Sequence, residues 1–348
     1  TMITKWKVQG NREAQIKELW NEYVPEHLLP RLHGYELMMA PYAIAHMKIG
    51  LKLYETGYQF GSQERARIYL SNALEPAQDS SGTFAFAIPA LAREAEAVNT
   101  IKRHQKFTIV IGNPPYSGHS SNNQIHWIVD KVRDYTQNVT GLDRPAQGKW
   151  LQDDYVKFIR FGQALLSFCG VGVMCYITNH NYLDNPTFRG MRKSLFETFN
   201  QIDCIDLHGN LTKRERCPDG TLDQNVFAIR TGVACGLFSK FPGKNYVYYR
   251  NVWGIQSEKY ATLQENTACS LPRDHIRPEA EFYLFVPQNQ DLAEEYQYFQ
   301  PLPDIFSKNG TPAPGIVTTH DEFAISFSKE EAIAKVRTLL ETRSEIEA

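Results

Sequence analysis

The sequence predicts an α/β fold with a mostly parallel sheet, and three features carry that expectation. Short apolar runs at Phe107–Ile111, Gly172–Thr178 and Gln201–Leu207 have the length and continuity of strands buried on both faces. Amphipathic segments of helical period separate them. Polar residues cluster where each run stops, as they do at the carboxyl edge of an open α/β sheet.

Taken in order, residues 11–28 space Leu19, Trp20, Val24 and Leu28 among Glu and Lys, the pattern of an amphipathic helix. Leu32–Leu37 follows as a short strand with Glu36 near its end, then a helix over Tyr42–Tyr54 just past Pro41. Arg67–Leu74 repeats the arrangement, with Asn72 closing the strand. Residues 76–90 are loop-like, and Gly82-Thr83-Phe84 there lacks the preceding strand that a cofactor loop needs. Helices are expected over Leu91–Lys106, Asp153–Phe168 and Thr187–Phe199. Gly172–Asn179 is a strand, and Gln201–Asn210 pairs with Asn225–Arg230 plus Gly232–Phe238 across the charged turn Lys213–Asp223. Beyond Phe241 the texture changes to aromatic strand-like pieces, Tyr246–Trp253 and Phe282–Val286, broken by prolines and closed by a helix over Lys329–Thr342.

Composition sets limits. The chain has 348 residues, 42% hydrophobic, enough for a substantial core in one large domain or two. Six cysteines show no CxxC spacing, which suits buried free thiols in a reducing cytoplasm better than disulfides or zinc. A net charge of −2 excludes a surface basic all round, so contact with nucleic acid has to come from local patches. No run of about 18 apolar residues occurs.

The most informative stretch is Phe107-Thr-Ile-Val-Ile-Gly-Asn-Pro-Pro-Tyr116. Two consecutive prolines remove two backbone donors and hold the preceding residues extended, so the chain leaves the sheet with fixed geometry. There Asn113 offers an amide oxygen, Pro114 and Pro115 offer carbonyls, and Tyr116 offers a flat π face. The set suits a planar ring bearing an amino group. The Asn113 side chain and the Pro114 carbonyl can accept both amino hydrogens while Tyr116 stacks on the ring.

This segment resembles the catalytic motif of amino-methylating, S-adenosylmethionine-dependent methyltransferases, Asn/Asp/Ser-Pro-Pro-Tyr/Phe/Trp. The resemblance extends over Pro25–Ser239. It implies a Rossmann-like sheet of seven strands, mostly parallel with one antiparallel strand, and S-adenosylmethionine as methyl donor. It also implies that Glu36 grips the cofactor's ribose hydroxyls and that Asn72, where the family most often has Asp, accepts from the adenine amine. The plainer readings are a surface Glu favouring the dipole of the following helix and a turn-forming Asn. Leu207-His208-Gly209-Asn210, Asp223-Gln224-Asn225-Val226-Phe227 and Gly315–Asp321 resemble single-polypeptide restriction-modification enzymes. In those, nuclease, helicase-like, methyltransferase and target-recognition parts share one chain, and the partner is double-stranded DNA. The polar run Ser117–Asn123 either contacts DNA or is a solvated loop.

The family's glycine-rich cofactor loop should precede the Glu36 strand, yet residues 1–30 hold only Gly10. A fold truncated on its N-terminal side is therefore expected, with a methyltransferase domain at 1–241 and a partial α+β region at 242–348 leading towards target recognition. Methyl transfer to adenine N6 is the leading expectation. Methylation of a protein glutamine amide and a degenerate scaffold are the alternatives.

Overall fold

The computed structural model describes residues 2–61, 64–77, 89–115, 120, 122–137, 139, 149–289, 292, 295–296, 298–300, 305 and 325–342. The chain divides into two compact units, Thr1–Pro287 and Gln288–Ala348.

The first unit holds two sheets of the expected α/β kind. β1 (His33–Glu36) and β2 (Arg67–Leu70) pair in parallel as one. The other has six strands in the order β3 (Ile109–Gly112), β4 (Gly172–Asn179), β6 (Val233–Lys240), β5 (Gln201–Asp206), β7 (Tyr246–Asn251), β8 (Asp274–Ile276). β3 runs parallel to β4 and β5 parallel to β7, while β6 is antiparallel to both β4 and β5. The carboxyl ends of β3, β4, β5 and β7 therefore lie along one edge. The sheet continues through residue 241, where the sequence texture changes, because Tyr246–Asn251 aligns all six residues with β5.

Helices form where a stripe can be buried. In α6 (Asp154–Ser167), Tyr155, Val156, Ile159, Gly162, Gln163 and Leu166 recur at helical spacing and are all buried. Gly162 is needed for that packing, since a β-carbon there would lie 2.4 Å from Met174 Sδ on β4. This face, with α7 (Arg189–Thr198) and strands β4–β7, encloses the main core around Tyr155, Tyr182, Phe199 and Phe238. Near the N-terminus, α1 (Met2–Val8), α2 (Glu13–Tyr23) and α3 (Met39–Glu55) gather a smaller cluster of Trp20, Val24, Leu29, Leu53 and Tyr58. The helix expected over 11–28 stops at Tyr23, one residue before Val24-Pro25. Pro25 has no amide to donate back along the helix, and a wider turn takes over. α4 (Pro89–His104) and α5 (His126–Arg133) complete the helices before α6, and α8 (Gln256–Glu265) follows β7.

Two expected strands do not form. Asn225–Arg230 is irregular because the Asn225 side chain takes over its backbone, donating to the Gly209 and Thr231 carbonyls and accepting from Phe227 N–H. Phe282–Val286 is a turn whose carbonyls serve Arg192 instead of a ladder: the guanidinium donates to Phe282 O, Tyr283 O, Tyr182 O and Asn185 O at 2.7–3.1 Å. Burial lowers the Arg192 pKa to about 10. In the second unit, α9 (Lys329–Thr342) starts with Ser328 Oγ accepting from Glu331 N–H, an N-cap.

Arg192→Leu leaves four carbonyls without their shared donor. It should lower the stability of the first unit by about 3 kcal/mol or more, measured by urea denaturation, while Lys193→Ala on the exposed side of α7 changes it by less than about 0.5 kcal/mol.

Candidate active site at the carboxyl edge of the sheet

The Asn-Pro-Pro segment leaves β3 at the edge where the parallel strands end. Asn113 is exposed, Pro114 is buried and Pro115 is exposed, and among the described residues the Asn113 side chain makes no hydrogen bond. Both its amide oxygen and its amide hydrogens are thus without a partner among the described residues. Tyr116 lies outside the described residues, as do Ser117–His119, Gly82–Phe84 and Gly315–Asp321.

β1 and β2 bring the two expected cofactor residues to their own carboxyl ends. Glu36 Oε1 accepts from Met38 N–H at 3.0 Å, so one carboxylate oxygen caps its own turn and the other is left over. Asn72 Oδ1 accepts from Leu74 N–H at 3.0 Å, the turn-forming geometry of an Asx residue, and Nδ2 donates to Asn122 Oδ1 at 2.8 Å. Lys102 Nζ donates to Asn72 O and Glu75 O at 2.7 and 2.8 Å and holds this turn, and burial lowers its pKa to about 8.

The Asn72–Asn122 bond opens a buried polar chain that sequence reasoning missed. Asn122 Nδ2 donates to Asp154 Oδ1 at 2.9 Å, Ser120 Oγ donates to the same oxygen, and Lys157 Nζ donates to Asn123 Oδ1 at 2.6 Å and to Ser120 Oγ. Lys157 is fully buried; burial lowers its pKa and the carboxylates of Asp154 and Asp153 oppose that shift. The signal was legible: Asp153, Asp154 and Lys157 occupy the first turns of an otherwise apolar helix, where a solvated face has no place. Their work is to pin Ser120, Asn122 and Asn123, seven to ten residues past Asn113, to α6 and to the end of β2.

A second polar cluster lies at the ends of β4 and β5. His180 Nδ1–H donates to Asp206 Oδ1 at 3.0 Å, and its Nε2 accepts from Asn210 Nδ2 at 3.1 Å. Asp206 also accepts from His208 N–H at 2.9 Å and from Tyr249 Oη at 3.0 Å. Burial would raise the Asp206 pKa, but the hydrogen bonds it accepts from the His180 ring and His208 N–H hold it below the ordinary carboxylate range. His208 stacks flat on Trp253, with ring centroids 3.3 Å apart. Gly209, at φ +79°, lets the chain turn against Asn225, whose Cα would lie 2.4 Å from any β-carbon. Below it, Asp223 accepts from Gly209 N–H and Gly254 N–H and pairs with fully buried Lys259 at 2.7 Å. The Leu207–Asn210 and Asp223–Phe227 motifs are thus one folded unit clamped to the sheet edge.

Residues 37–211 match the Eco57I restriction-modification methylase family, half of the chain. The chain belongs to that family. Its fold is that of restriction-modification enzymes of known structure. The ATP-dependent Type ISP restriction-modification enzyme LlaBIII bound to DNA superposes with a TM-score of 0.67 at 20% identity, over 98% of this chain and 22% of that one. A nuclease-deletion mutant of the Type ISP enzyme LlaGI, in complex with a DNA substrate mimic, gives 0.68 at 20% identity over 98% and 31%. The DrdV–DNA complex gives 0.66 at 22% identity over 96% and 32%. This methylase chain therefore spans between about a fifth and a third of the length of those proteins. No curated protein matches it significantly.

Asp154→Ala removes the shared acceptor of Ser120 and Asn122 and leaves Lys157 buried beside one carboxylate fewer. The expected result is a loss of about 3 kcal/mol and faster amide exchange at residues 120–125 relative to β4. Unchanged exchange there would mean the segment is held by something else.

Proposed function

We propose that this methylase transfers the methyl group of S-adenosylmethionine to N6 of an adenine flipped out of double-stranded DNA, as the methyltransferase part of a single-polypeptide restriction-modification enzyme. The observation that carries the reading is Asn113: an exposed carboxamide with no partner among the described residues, set before two prolines at the carboxyl edge of a parallel strand.

The chain's own residues do the work of orientation. Asn113 Oδ1 and the Pro114 carbonyl accept the two N6 hydrogens, which draws the nitrogen lone pair out of the ring plane and towards the methyl donor. Tyr116 stacks on the flipped base and offsets part of the few kcal/mol lost on unstacking. S-adenosylmethionine, when bound, supplies an electrophilic methyl on a positively charged sulfur. The N6 proton leaves to solvent after transfer, so no dedicated base is required.

Two residues suit the cofactor. The free oxygen of Glu36 fits a ribose hydroxyl, and the remaining lone pair of Asn72 Oδ1 fits the adenine amine. They serve the adenosine end alone. The sheet itself suggests where the rest belongs. Among the described residues β1 pairs only with β2 and β3 only with β4, so each carries an edge left unpaired by them. His33 and Phe107, at the starts of the two, are in edge contact with ring centroids 5.2 Å apart, and Asn72 bonds Asn122 beyond their ends. Ile109 and Ile111 on β3 are 70% and 80% exposed, unusual for a strand of this type. A further parallel strand between β1 and β3, followed by a glycine-rich loop and covered by a helix, would join the two sheets into one and supply the backbone for the methionine end.

The test is methyl transfer from radiolabelled S-adenosylmethionine to unmethylated DNA, comparing this chain with a longer form that carries such a strand and loop. The longer form should label adenine N6 and this chain should not. Asn113→Ala in the longer form should lower the rate about a hundredfold or more with cofactor affinity within about threefold. Labelling of protein, or of nothing, would overturn the substrate or the activity.

A further inference from the structure

We propose that His180, His208 and Glu215 form a buried zinc site that locks the segment after β5 onto the sheet edge. The three side chains present ligand atoms that all lie within 4.8 Å of one another. An ion held by bonds of about 2.0–2.2 Å keeps its ligand atoms about 3.4 Å apart in a tetrahedron, so closure from separations within 4.8 Å requires a contraction of up to about 1.4 Å.

His208 makes the case. Its Nε2–H donates to Asn251 Oδ1 at 2.8 Å, which fixes the tautomer and leaves a lone pair on Nδ1. That Nδ1 is buried and has no hydrogen-bond partner. It points between two carboxylates, 3.6 Å from Asp206 Oδ2 and 3.9 Å from Glu215 Oε1. A lone pair facing two carboxylates at distances too long for a hydrogen bond needs a cation between them.

The outer partners are those of a metal site. His180 Nδ1–H donates to the Asp206 carboxylate, so Nε2 is the atom free of its proton, and Glu215 Oε2 accepts from Asn210 N–H at 2.8 Å. Each of the three ligands is thus oriented through its other polar atom. Asn210 Nδ2 now sits on His180 Nε2 and has to turn aside, while Asn210 Oδ1 keeps its bonds from Thr212 and Lys213 N–H. Two imidazoles and one carboxylate in a buried setting select a zinc-like ion over calcium or magnesium. His180 follows β4, His208 follows β5, and Glu215 lies in the turn that returns to Cys217, so one ion would join three separate pieces of chain, with a fourth position left for water.

The test loads the untagged 348-residue chain with one equivalent of Zn2+, desalts it, and measures bound zinc by mass spectrometry of the metal, with X-ray absorption at the zinc edge. We expect about one zinc per chain, imidazole scattering from two ligands, and a higher thermal midpoint that chelator reverses. Glu215→Gln, which preserves shape, and His208→Ala should each weaken zinc binding at least about a hundredfold. Asn251→Ala, which removes only the orienting acceptor, should weaken it about ten- to a hundredfold. A folded wild-type chain that retains no more zinc than the Glu215→Gln variant overturns the proposal. So does retained zinc that all three variants hold equally. In the first case, nitrogen chemical shifts showing a doubly protonated His208 ring would identify the cation as a proton.

Discussion

The carboxylate of Asp206 is the constraint on which the candidate active edge depends. It ends β5, yet it accepts from His180 beyond β4 and from Tyr249 on β7, besides His208 N–H. β4 and β5 are not neighbours, because β6 runs between them in the opposite direction. The ladder aligns their ends only through β6, where Asn179 faces Val233 and Asp206 faces Ala234, and the His180–Asp206 bond adds a direct side-chain tie across it. A charged acceptor with three donors is also among the stronger polar arrangements available in a buried setting.

The same logic recurs one strand away. Asp154 on α6 gathers Ser120 and Asn122, and Asn122 reaches Asn72 at the end of the smaller sheet. The residue expected to meet the cofactor and the segment that follows the Asn-Pro-Pro motif thus share a single chain of hydrogen bonds. Such a chain makes the loop geometry depend on what Asn72 is doing, because a polar group in a dry setting cannot exchange partners with water.

Much of this was legible in the sequence. The strands that ended in polar residues, β1 to β5, stand where the sequence placed them, and for β4 and β5 it was burial that wrote itself as a continuous apolar run. The helices over 154–167 and 189–198 followed from spacing alone. Asn113 at the strand end was legible because proline acts locally. What failed was local propensity overruled from a distance. Asn225–Arg230 has strand-like residues, but the Asn225 side chain commits the backbone to a turn. Phe282–Val286 is apolar and aromatic, but Arg192, some ninety residues earlier, claims its carbonyls. The histidine and carboxylate cluster was invisible for the same reason: His180, Asp206, His208 and Glu215 meet only after β4 and β5 are separated by β6.

The two unpaired edges have a consequence of another kind. Backbone N–H and C=O groups in a row, beside the uncovered Ile109 and Ile111, form a template on which any extended peptide can add itself. Natural sheets guard such edges with lysine, proline or a bulge, and β3 has none of these within its four residues, Ile109-Val110-Ile111-Gly112. Whenever these edges stand open, the strand that carries the Asn-Pro-Pro motif is itself an apolar pairing template, and the colloidal stability of the chain depends on what covers it.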